Sequence, residues 1–129
     1  MSSVTIMSIR DFRDLEVWRL GKQLVLLTYR LTESFPASEM YGLTSQMRRA
    51  AVSIPGNIAE GFGRYHYMDR VKFLLNARGS LNELKSHLLI ARELQFVEDG
   101  PAHTVRERLD TLSVKLNNLI ALIATTRKA

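Results

Sequence analysis

The side chains that could act on a substrate or hold a metal are few. Glu60 follows Asn57 in the segment Arg48–Arg64, RRAAVSIPGNIAEGFGR. One carboxylate beside one amide, with no nucleophile or second acid in the pattern, is not a catalytic constellation. Glu83 and His87 stand four residues apart. On a helix they could share a metal, but two ligands do not complete a site. The three histidines, His66, His87 and His103, are scattered, and the chain has no cysteine, which excludes thiolate nucleophiles, thiolate metal sites and disulfides. No Gly-rich phosphate loop follows a strand, and neither a Ser elbow nor the paired Glu-x-x-His motifs of di-iron bundles occur. The expectation is no enzyme, no cofactor and no resident metal. A metal-dependent enzyme would need an ion near Glu60, or near Glu83 and His87.

The basic residues carry more information. Among 129 residues, 18 Lys and Arg face 13 Asp and Glu, a formal net charge of +5. Such an excess favours anionic partners, nucleic acid first among them. Arg78, Lys85 and Arg92 are seven apart, and no acid lies three or four residues from any of them. Each must therefore find water, another helix, another subunit or an anionic ligand. Arg48 flanks an apolar face, and Arg106 and Lys115 lie in a basic last stretch. These six are the candidate nucleic-acid contacts, tracking phosphates without reading sequence. The plainer reading is that their aliphatic stems cover the edges of the core. Aromatic residues interleaved with these bases are missing, so stacking of single-stranded bases is not indicated.

Four amphipathic helices must position these side chains. Residues 1–13 show no period and read as an extended lead-in; Met7 is a possible start. The first helix is expected over 15–34, capped by Asp14, with Val17, Leu20, Leu24, Leu27, Leu31 and Phe35 as its buried stripe. Pro36 ends it. The second is expected over 39–63, with Leu43, Met47, Ala50, Ile54, Ile58 and Phe62 inward, a kink at Pro55, and Gly61 and Gly63 as its stop. The third runs from Met68 or Asp69 to Phe96, on Leu74, Ala77, Leu81, Leu84, Leu88, Ala91 and Gln95. Asp99-Gly100-Pro101 reads as the clearest turn, with Pro101 in the first turn of the fourth helix. Val105, Leu109, Leu112, Leu116, Leu119 and Ile123 line that helix. The expected fold is all-α: one antiparallel up-down-up-down four-helix bundle over 14–129. No apolar run approaches the ~20 residues of a membrane span, and the N-terminus lacks a signal-peptide pattern, so a cytosolic protein is expected.

The second helix is unusual for a small monomer. At ~100° per residue, Gln46, Arg49, Ser53, Asn57, Glu60 and Arg64 fall on one polar line. The core stripe lies on one side of it. Val52, Pro55, Gly56, Ala59 and Gly63 lie on the other, small or apolar and without charge. An exposed face is normally rich in Lys, Glu and Gln, whereas small residues let a second backbone approach. We read Arg49, Val52, Ser53, Gly56, Asn57, Ala59, Glu60, Gly63 and Arg64 as a homo-oligomer interface. Arg49 or Arg64 would meet Glu60 in a polar network at its edge. Packing of this side within its own bundle is the competing reading.

Several blocks resemble a known family. They are Asp14-Leu15-Glu16-Val17-Trp18, Phe35-Pro36 with Glu39 and Tyr41-Gly42-Leu43, Gln46, Arg48-Arg49-Ala50-Ala51-Val52-Ser53-Ile54-Pro55, Asn57-Ile58-Ala59-Glu60-Gly61, Arg64, Phe73-Leu74, Ala77-Arg78-Gly79-Ser80-Leu81 and Glu83-Leu84. Over residues 14–96 the chain resembles the four-helix bundle family of 23S rRNA intervening-sequence proteins; the fourth helix matches in pattern only. The resemblance implies a small cytosolic bacterial protein, some members being encoded within 23S rRNA genes. A related branch is the accessory variability protein of diversity-generating retroelements. It implies a barrel-like homopentamer that binds RNA or DNA and partners a nucleic-acid-handling protein, a reverse transcriptase. The expected function is thus that of a non-enzymatic homo-oligomer, a pentamer by resemblance, that binds nucleic acid or such a partner. The alternative is a scaffold or toxin-antitoxin-like partner that binds protein only.

Overall fold

The computed structural model describes residues 11–126. Met7, most of the lead-in, Arg127 and Lys128 lie outside the described residues. Four helices form, α1 (Glu16–Thr32), α2 (Leu43–Phe62), α3 (Tyr67–Glu93) and α4 (Asp99–Thr126), with short 3-10 turns at Phe12–Asp14 and Ala37–Glu39. Each helix packs on its two neighbours, and the diagonal pairs do not approach.

Cross-helix contacts fix the direction of every pair. Between α1 and α2 Arg48 reaches Thr32 and Ile54 lies against Gly21, and between α2 and α3 Ser53 meets Ser80 and Phe73 lies against Gly61. Lys85 meets Asp110 and Arg78 meets Asn117 between α3 and α4, so numbers rise on one helix as they fall on the other. Arg108 to Gln23 and Lys115 to Glu16 close the ring of contacts between α4 and α1 in the same opposed sense. The bundle is the antiparallel up-down-up-down arrangement expected. No helix of the described residues is long and apolar enough to cross a membrane.

The core stripes of α2, α3 and α4 fall where the periodicity puts them except at their ends, where Leu43, Phe62, Leu119 and Ile123 are half-buried. Met47, Ile54, Ile58, Leu81, Leu84, Leu88, Leu109, Leu112 and Leu116 are fully buried. On α1, Val17, Leu24 and the following Phe35 are buried as expected, and the rest of the stripe is displaced. Gly21, Leu24, Thr28 and Thr32 are buried, while Leu20, Leu27 and Leu31 are half-buried. The small residues sit inside because α1 lies close to α2. A Cβ on Gly21 would stand 3.4 Å from Ile54 and from the Pro55 ring. Helix α2 runs through Pro55 without a break, although Pro55 offers no N–H to the carbonyl of Ala51.

Several boundaries differ from expectation for local reasons. Asp14 does not cap α1 but ends a 3-10 turn that begins at Phe12, inside the expected extended lead-in. Its carboxylate and that of Asp11 form a reciprocal capping box, and Leu15 occupies the N-cap of α1. Glu39 does not start α2; its carboxylate accepts the Leu43 N–H at 3.0 Å and caps it from outside. Gly61 does not stop α2: it is buried where α3 crosses, and its Cβ would lie 3.2 Å from the Arg70 carbonyl and from Phe73 Cβ. Gln95 is not a core position. It follows α3 at φ 62°, the left-handed C′ residue, with Phe96 N–H bonded back to the Ala91 carbonyl at 2.9 Å. Asp99, Gly100 and Pro101 form the first turn of α4, and the connection lies before them.

Candidate interaction surfaces

Helix α2 presents its charge-free side outward. Val52 is 47% exposed, Gly56 and Gly63 are exposed, and Ala59 is half-buried. Nothing in the chain comes within 4 Å of a Cβ placed on Gly56. A mid-helix glycine costs about 1 kcal/mol relative to alanine, and at Gly56 no contact within the chain offsets that cost. Pro55 alone of this set packs inward, against Gly21.

Two open depressions flank α2. One, about 530 Å³, is lined by Phe12, Gly56, Ala59, Glu60, Gly63 and Arg64. The other, about 610 Å³, lies over the α2–α3 seam, with Ser53, Asn57, Leu75, Gly79 and Ser80 in its walls. Gly79 repeats the signature of Gly56, since its Cβ would also meet nothing within 4 Å. The expected interface did not include Gly79 or Leu75. A second exposed mid-helix glycine beside a serine was the signal that could have found them.

The polar line of α2 is used within the chain. The Ser53 and Ser80 hydroxyls share a hydrogen bond of 2.7 Å, and the Asn57 amide donates to the Ser53 carbonyl at 2.8 Å and to its hydroxyl at 3.0 Å. Together they lock α2 to α3. Arg64 meets Glu60 at 3.1 Å one turn away, and its guanidinium lies 4.8 Å from the Phe73 ring centre. Arg49 is exposed and has no polar partner among the described residues.

Four of the six candidate phosphate contacts are matched by neighbouring segments of the same bundle. Arg78 donates to Asn117 at 3.2 Å, Lys85 pairs with Asp110 at 2.9 Å, Arg92 with Asp99 at 2.9 Å, and Lys115 with Glu16 at 2.8 Å. Arg48 is half-buried; it donates to the Thr32 hydroxyl at 2.9 Å and lies 4.6 Å from the Tyr29 ring centre. Arg106 has no polar partner among the described residues. The ion pairs are solvent-exposed and worth roughly 0–1 kcal/mol each, weak enough for a phosphate to displace the carboxylate.

Glu83 and His87 come no closer than 3.8 Å, and the buried His87 Nε2 has no hydrogen-bond partner. No three His, Asp or Glu side chains converge in a metal-binding arrangement among the described residues. Asp11 and Arg13 flank Phe12, which lines the first of these depressions, and they hold each other in the charged form. Hydrogen bonds from the Arg13 side chain and then its N–H hold the Asp11 carboxyl below its usual range.

A comparison with curated proteins finds no match. A protein-family model, described as 23S rRNA-intervening sequence protein, matches residues 13–118, most of the bundle and all of the α2 face. The chain therefore belongs to the family of 23S rRNA-intervening sequence proteins.

Proposed function

We propose that this protein is a non-enzymatic helical bundle that acts as a homo-oligomer in the bacterial cytosol. Its task is to bind nucleic acid or a protein that handles nucleic acid. The observation that carries the assembly is the outward side of α2, where Gly56 sits mid-helix with nothing of its own chain against it. A second copy's backbone is the partner that a charge-free, small-residue face admits. The pentameric copy number is taken from the family resemblance. Val52→Glu tests the face: it should break the assembly and leave helical content intact, and an unchanged assembly would contradict the reading.

Nucleic-acid binding is supported by the net charge of +5 and by ion pairs weak enough to yield to phosphate. Repetition of these bases around a ring would multiply them. Binding should be independent of sequence and should weaken steeply with salt. Undetectable affinity for mixed-sequence RNA and DNA at low salt would remove it. The matching of Arg78, Lys85, Arg92 and Lys115 within the bundle favours a second reading, a partner surface for protein alone. Its mark would be indifference to nucleic acid together with a defined co-purifying protein.

A further inference from the structure

Two tyrosines stand almost wholly in solvent, Tyr41 at 96% and Tyr65 at 89% exposure. They lie at opposite ends of the bundle, Tyr41 in the α1–α2 connection and Tyr65 in the α2–α3 connection. Their surroundings differ in charge. Around Tyr41 the connection from residue 33 to 42 carries Glu33 and Glu39 and no base. The segment 64–72, RYHYMDRVK, carries Arg64, Arg70 and Lys72 against the single acid Asp69.

Arg64 is paired with Glu60, and Arg70 is the base that orders the connection. Arg70 donates its Nε to the Arg64 carbonyl at 2.6 Å, so its guanidinium is anchored on the peptide that leads into Tyr65. That bond uses one nitrogen, and no carboxylate lies within ion-pair reach of Arg70 or of Lys72 among the described residues. The Tyr65 ring meets the exposed His66 edge-on, with centroids 5.2 Å apart and planes at 88°. At 89% exposure the Tyr65 ring keeps a face open to solvent. An exposed aromatic face beside an anchored guanidinium and a nearby lysine is the chemistry that takes an unpaired base and its flanking phosphates. A duplex keeps its bases stacked on each other and offers none to the ring.

We propose that the α2–α3 connection is a contact site for single-stranded nucleic acid. Tyr65 stacks on an unpaired base, and Arg70 and Lys72 hold adjacent phosphates. The proposal rests on the nucleic-acid reading above and gives it a place in the chain. It also revises the expectation from the sequence that stacking platforms are absent. The bases flagged there lie along the bundle sides; these lie at its end.

The test uses the full chain with labelled strands of about 12 nucleotides, within the range that one binding face covers. Single-stranded RNA, single-stranded DNA and the duplex are titrated by fluorescence anisotropy at low and moderate salt. Tyr65→Ala should weaken single-strand binding about 5- to 100-fold, Tyr65→Phe should retain it, and duplex affinity should not move. Arg70→Gln should lower affinity for all strands and reduce the single-strand salt slope by about 0.7. Tyr41→Ala, equally exposed but without cations, should be silent. The RNA and DNA arms show which strand is preferred. Circular dichroism melts of Tyr65→Ala matching wild type exclude misfolding as the cause. If wild type binds and Tyr65→Ala equals Tyr41→Ala, this site is overturned and the general reading stands. A parallel loss of duplex binding in Tyr65→Ala overturns the stacking role. If wild type binds neither single strand at low salt, both fall.

Discussion

Substitution of Gly56 separates a solvent face from an interface, because the two predict opposite signs. In an isolated chain the added Cβ of Gly56→Ala meets nothing within 4 Å, so only backbone propensity changes. Replacing glycine by alanine inside an exposed helix gains about 1 kcal/mol, which for a domain of this size raises Tm by roughly 3–6 °C. If another chain's backbone rests against Gly56, the same methyl holds it away, and Gly56→Gln does so more strongly. Burial across that contact is then lost, and the assembled fraction falls at fixed concentration. The assay is light-scattering mass across a dilution series, paired with thermal melts. We expect Gly56→Ala to dissociate at higher concentration than wild type and Gly56→Gln to be largely dissociated, each with helical content retained. A variant that gains the full propensity term in Tm with no change in mass would refute the reasoning, since α2 would then face water alone.

Gly61→Ala should behave in the opposite way within one chain. Its methyl would press the Arg70 carbonyl and Phe73 Cβ at 3.2 Å, so overpacking should cost about 1–3 kcal/mol in urea unfolding; a stabilised variant would contradict that. Gln95→Gly should stabilise by roughly 0.5–1 kcal/mol, because a left-handed residue at φ 62° is strained with a side chain. A loss on thermal melting would instead show that the Gln95 side chain contributes to stability. For Asp11, the Arg13 hydrogen bonds favour the carboxylate, so its folded pKa lies below 3.8. Its contribution is therefore present above that value and lost as pH falls through the folded pKa. A carboxyl-carbon NMR titration should find the midpoint below 3.8, and a midpoint at or above it would contradict the pairing.

Much of the bundle was legible because α2, α3 and α4 bury large apolar side chains at heptad-like spacing. On α1, Val17, Leu24 and the following Phe35 fall inside as expected, but the other three positions of the stripe lie one residue off. Counting apolar residues favoured Leu20, Leu27 and Leu31, but close approach to α2 places Gly21, Thr28 and Thr32 inside. A period counts hydrophobicity and is blind to interhelical distance. Helix ends were misplaced where a cap comes from a side chain four residues away, as Glu39 caps Leu43. The outward face of α2 was legible because absence of charge on a helix face is itself a pattern; its continuation at Gly79 was not, being one glycine in a regular helix. The partners of the basic residues were out of reach. Arg78, Lys85 and Lys115 find theirs on adjacent helices, and matching them requires the register between helices, which sequence does not supply. Tyr65 falls between the expected second and third helices, and the exposure of its ring is visible only in the folded chain.

The central claim is that the exposed small-residue face of α2 joins copies of this chain, and absolute mass in solution by light scattering at low and high salt tests it most directly. We predict one species at several times 14.7 kDa, a pentamer by family resemblance, at both salts, because Val52, Gly56, Ala59 and Gly63 at the centre of the face carry no charge. A clean monomer of 14.7 kDa at both salts would contradict the interface at Val52, Gly56, Ala59 and Gly63.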